Sequence, residues 1–89
     1  MDKQQLREQL ELLHAELAQV KSLDSTEAEM LQQLAGDIQD VLEREENQEQ
    51  HYTGLGERLK EAVARLEASH PRATEAMRQV IDQLAYLGI

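Results

Sequence analysis

The chain has no cysteine, no tryptophan and no phenylalanine, a single proline, and nine basic residues against 18 acidic ones in 89. Each shortage removes a class of function. Without cysteine there is no disulfide, no thiolate nucleophile and no cysteine-based zinc or iron–sulfur site. Without the larger rings, Tyr52 and Tyr86 are the only aromatics, and a core has to be built from aliphatic side chains. A chain this short is expected to form one small domain that buries only about 60–65% of its unfolded surface. So thin a core leaves scope for further burial against a partner or a second copy. The opening "MDKQQLREQLELL" lacks the apolar run of a signal peptide, and no window approaches the roughly 18 apolar residues that span a bilayer. A soluble, cytoplasmic protein is the expectation.

The few cations are unevenly placed. Residues 1–50 hold 13 acids and four bases, whereas residues 51–89 hold five of each, so the whole net charge of −9 lies in the first part. Such a surface repels phosphate backbones and anionic lipid, which argues against nucleic-acid or membrane binding and in favour of a basic protein partner.

What the chain does have is leucine at helical spacing. Leu6, Leu10, Leu13, Leu17 and Val20 fall at gaps of four and three and form one narrow seam. Asp2 is the expected N-cap and Lys21 the closing cation, while Leu12 lies off the seam. A second helix is announced by Asp24 with Glu27, or Thr26 with Glu29, at capping-box spacing. Its apolar residues are Leu31, Leu34, Ile38, Val41 and Leu42, with Met30 beside them. Gly36, inside this helix, suggests close packing or a local bend, since glycine there costs about 1 kcal/mol against alanine.

The pattern then breaks at Glu45 and Gln48. A polar linker is expected over about 45–53, or alternatively a second helix prolonged to His51, with Gly54 and Gly56 marking a break. A third helix carries Leu55, Leu59, Ala62, Val63 and Leu66. A fourth carries Ala73, Met77, Val80, Leu84 and Leu87, flanked by Ala76 and Ile81. Pro71 suits the first position of that helix and disfavours helical geometry at His70, so Ser69-His70-Pro71 reads as a helix–helix turn with His70 at the cap. Gly88 is the expected left-handed residue past the end, with Ile89 folding back on Leu84.

The tail "LKEAVARLEASHPRATEAMRQVIDQLAYLGI", above all "EASHP", the following threonine, "VIDQLA" and the terminal "GI", together with the leucine-rich opening helix, resembles a family of short bacterial proteins known as a domain of unknown function. The resemblance covers nearly the whole chain. It implies a small all-helical protein without an assigned activity, and it carries over no functional residues.

The strongest chemical motif is a repeated Glu-x-x-His, Glu11 with His14 and Glu67 with His70, the spacing with which di-iron bundles set a carboxylate and an imidazole on one helix face. With the seam leucines at heptad positions a and d, both pairs fall at b and e, away from the core, and His70 lies at a helix break. No metal or other cofactor is therefore expected, although a surface metal site that also uses His51 is an alternative. Nothing resembles a strained nucleophile elbow, and "GLG" before the third helix lacks both the spacing and the preceding strand of a phosphate loop. Tyr86 is read as a ring over the end of the core or as an interface anchor, with Leu12 as a second interface candidate.

These readings predict an all-α protein of two antiparallel helical hairpins, about 3–44 and 54–88, forming a four-helix bundle within one chain or as a dimer. A homodimer is favoured because the core is thin. The expected function is a non-enzymatic adaptor that docks a protein through a helix face or the acidic first hairpin. A metal-binding protein or di-metal enzyme built on the two Glu-x-x-His pairs is the alternative, and an acidic mimic of nucleic acid the third.

Overall fold

The computed structural model describes residues 3–44, 46 and 48–88. Four helices account for most of them: α1 (Lys3–Ala18), α2 (Ser25–Glu43), α3 (Glu49–Leu66) and α4 (Pro71–Tyr86). Among the described residues there is no strand. Helix α1 packs on α2 and α4, and α3 packs on the same two, whereas the backbones of the diagonal pairs do not approach each other closely. The result is an antiparallel ring of four helices, 35 × 21 × 19 Å along its principal axes. The bundle closes within one chain.

The leucine seams build its centre. Leu6, Leu10, Leu13 and Leu17 of α1 are buried against Leu31, Leu34, Ile38 and Val41 of α2, Tyr52, Leu55, Leu59, Ala62 and Leu66 of α3, and Ala73, Met77, Val80 and Leu84 of α4. Val20, Leu23, Met30, Leu42, Val63, Ala76, Ile81 and Leu87 pack half-buried around this core. The one buried polar residue among those described, Thr74, donates its hydroxyl to the Pro71 carbonyl at 3.1 Å, so its burial strands no donor.

The helix ends follow local chemistry. Of the two capping boxes open to α2, Asp24 with Glu27 forms: the Glu27 amide donates to Asp24 Oδ1 at 2.8 Å, and the Asp24 amide to Glu27 Oε1 at 3.1 Å. Pro71 opens α4 behind His70, and Gly88 takes φ +79 just past its end, donating its amide to the Ala85 carbonyl at 3.0 Å. The expected cap at Asp2 and the contact from Ile89 lie outside the described residues. Between α1 and α2, Ser22 holds φ +62, a left-handed conformation that costs a side-chain-bearing residue about 1–2 kcal/mol.

Two expectations are corrected. The linker expected over 45–53 is shorter, because α3 starts at Glu49 and runs through Gly54 and Gly56. Tyr52 explains the early start: with Leu55, Leu59, Ala62 and Leu66 it continues the three-four spacing, and its ring is buried. Burial of that ring offsets the cost of two helical glycines. At the helix start the Gln48 amide donates to His51 Nδ1 at 2.9 Å, and the Thr53 hydroxyl to the Glu49 carbonyl at 3.1 Å. The close packing or bend expected of Gly36 is also absent, since Gly36 is exposed within a continuous helix and a methyl group there would meet nothing within 4 Å. Close approach occurs at Gly56 instead, where a Cβ would lie 3.3 Å from Leu84 Cδ1 of α4.

Candidate functional site

The two Glu-x-x-His pairs go to different places. On α1, Glu11 is exposed, and His14 is half-buried in the groove between α1 and α2. Glu67 follows α3 and forms an ion pair with Arg78 of α4. His70 is held in the turn, with Nδ1 2.9 Å from the Ser69 hydroxyl and Nε2 3.1 Å from the Lys21 carbonyl. An Nε2–H tautomer satisfies both contacts, donating to Lys21 and accepting from Ser69. His70 thereby ties the start of α4 to the chain just beyond α1. The third histidine, His51, accepts the Gln48 amide at the start of α3. Among the described residues no three histidine, aspartate or glutamate side chains come together as a metal-holding group.

Three clefts lie along α2, and a smaller one of about 160 Å³ lies between α3 and α4 beside Gly56, Ile81 and Leu84. One groove, about 290 Å³, runs between α1 and α2 and is lined by His14, Leu17, Ala18, Leu23, Ala28, Leu31, Gln32 and Ala35. Its walls carry no carboxylate and no lysine or arginine. The small side chains of Ala18, Ala28 and Ala35 leave a groove at the surface above Leu17 and Leu31, which themselves stay buried. Toward the other end of the same helix pair lies a larger cleft, about 430 Å³, in which Lys3, Arg7 and Arg44 stand over Leu6, Leu10, Val41, Leu42 and Tyr52. A third space, about 250 Å³, separates α2 from α3, where Asp37 Oδ2 lies 2.6 Å from Arg58 Nε.

The expected interface candidates sit elsewhere. Leu12 on α1 is 61% exposed and Tyr86 at the end of α4 is 78% exposed, so Tyr86 does not cover the end of the core. Both belong to the helix pair that closes the ring.

A family model described as a domain of unknown function (DUF4404) matches residues 6–89. The chain belongs to this family. The match takes in all four helices and the turn at Ser69-His70-Pro71, so the whole bundle is the family unit. No curated protein and no solved structure matches the chain. Among the described residues of this DUF4404 protein, no helix is long and apolar enough to cross a membrane.

The groove residues were hard to find from sequence. His14 sits at a heptad position that borders the seam, and spacing says only that it avoids the centre. Ala28 and Ala35 carry too little apolar surface to stand out. Their signal exists only once α1 and α2 are side by side.

Proposed function

We propose that this DUF4404 protein is a non-enzymatic interaction module whose α1–α2 groove takes a basic amphipathic helix from a partner protein. One juxtaposition supports the reading: an open apolar groove lies between the two helices of the chain segment that holds the entire net charge of −9. Helix-in-groove recognition needs apolar holes for side chains spaced three and four residues apart, and the surrounding acids favour cations along the flanks of the incoming helix. Exposed Glu11, one turn before His14, and exposed Glu29, next to Ala28, stand beside the groove in sequence.

A titration with a fluorescent Lys/Leu amphipathic peptide, set against a Glu/Leu peptide of the same pattern, tests this. The Lys/Leu peptide is expected to bind and the Glu/Leu peptide not. Replacing Glu8, Glu11 and Glu16 by Gln should weaken binding about ten-fold in low salt, and Ala28→Lys should block the groove at any salt. Equal binding by the wild type and both variants would defeat the reading.

Self-association is the second reading, favoured by Leu12 and Tyr86, the exposed large hydrophobic residues among those described. Because the core is filled within one chain, such a homodimer would join finished bundles through the α1–α4 face. Sedimentation equilibrium distinguishes the two: a dimer abolished by Leu12→Gln with Tyr86→Gln supports it, and a monomer at all concentrations ends it.

A further inference from the structure

The cleft at the start of α1 has a composition found nowhere else in the first half of the chain. Residues 1–50 contain four cations, Lys3, Arg7, Lys21 and Arg44, and three of them line this one cleft with, among the described residues, the acid Glu46. Below them the floor is apolar, made by Leu6 and Leu10 of α1, Val41 and Leu42 of α2 and the buried ring of Tyr52. Arg7 reaches across from α1 and donates to the Leu42 carbonyl near the end of α2. That contact suits the negative end of the helix and fixes a guanidinium over the cleft. Lys3 stands in the first turn of α1, which contains no acid.

We propose that this cleft binds an amphiphilic anion, a carboxylate on an acyl chain of medium length, with its head between Lys3 and Arg7 and its chain on Leu6, Leu10 and Leu42. A volume of about 430 Å³ falls in the range of small-molecule sites, roughly 300–1,000 Å³. The net negative charge does not forbid this, because at physiological salt charges are screened beyond about 8 Å. Lys3 and Arg7 are then the charges nearest to a ligand head held between them. The site is independent of the peptide groove, which lies toward the other end of the α1–α2 pair.

The probe is sodium decanoate below its micelle concentration, followed by amide chemical shifts on the full chain. The expected result is saturable shifts at Leu6, Leu10, Leu42 and Tyr52, with affinity rising from hexanoate through octanoate to decanoate by up to about four-fold per methylene. Lys3→Gln should weaken binding about five-fold, the scale of one exposed charge contact. Leu42→Glu, which sets a carboxylate on the half-buried rim without emptying the core, should abolish it. Decanol binding as tightly as decanoate, decyltrimethylammonium binding more tightly, shifts confined to the groove around His14, or no saturable binding at all would each overturn the proposal.

Discussion

Helices α4 and α2 occupy opposite corners of the ring and are held by different means. Helix α4 is held along its body: Met77 and Val80 are fully buried, and a Cβ at Gly56 of α3 would lie 3.3 Å from Leu84 Cδ1, a tight contact. Helix α2 buries Leu31, Leu34, Ile38 and Val41 in the same core and is in addition fixed at one end, where Arg7 of α1 donates to the Leu42 carbonyl, while its own Asp24–Glu27 box caps the other. Along its length lie two clefts toward α1 and one toward α3. In a bundle made from near-identical leucine seams the larger open spaces thus lie along α2, while a smaller one of about 160 Å³ opens between α3 and α4 beside Gly56 and Leu84. Binding surfaces belong where packing is incomplete, since a filled interface has nothing left to offer a ligand.

The sharpest way to break this comparison is to empty one core position on each side. Met77→Ala should cost about 3 kcal/mol, because its neighbours cannot collapse into the hole. Leu31→Ala, under the open α1–α2 groove, should cost nearer 2 kcal/mol, since water and mobile side chains reach the space. Urea denaturation of both variants gives the two values, and equal losses would remove the distinction. Next in size is the cap. Asp24→Ala should cost about 1 kcal/mol, with faster amide exchange along α2 and little change in α4.

The smallest effects come from the two glycines that lie inside helices for opposite reasons. Gly36→Ala should raise stability by about 0.5–1 kcal/mol, because the methyl group points into open space and only the helical preference changes. Gly56→Ala carries the same preference but drives a Cβ against Leu84, so it should gain nothing or lose up to about 1 kcal/mol. Thermal unfolding of the pair measures the difference. A stabilising Gly56→Ala would show that α3 and α4 have room to adjust.

Where the sequence was readable and where it was not follows the same physics. Apart from Tyr52, which falls in the stretch read as a linker, the core from Leu6 to Leu84 was legible, because three-four spacing of leucines has few other meanings. The start of α3 was not, since Gly54 and Gly56 signal a break locally and are overruled by the burial of Tyr52, a long-range effect. Gly36 misled in the other direction, its place in a helix suggesting a contact that α2 does not make. The cationic cleft was invisible for a simpler reason: Lys3 and Arg7 are far from Arg44 in sequence, and only the antiparallel turn of α2 brings them together.

The contact between α1 and α4 bears on how the molecule forms as well as how it stands. Three of the four seams in the ring join consecutive helices across turns of a few residues, and such pairs close early and cheaply. The fourth joins the two helices separated by the whole of segment 19–70, with the His70 imidazole on the Lys21 carbonyl at its edge. Closing that seam requires the longest loop in the chain, and its entropic toll comes due before the core of α1 is covered. Contacts at the α1–α4 seam are therefore expected to form late, so that substitutions there should change the unfolding rate more than the folding rate, which stopped-flow measurements in urea would check.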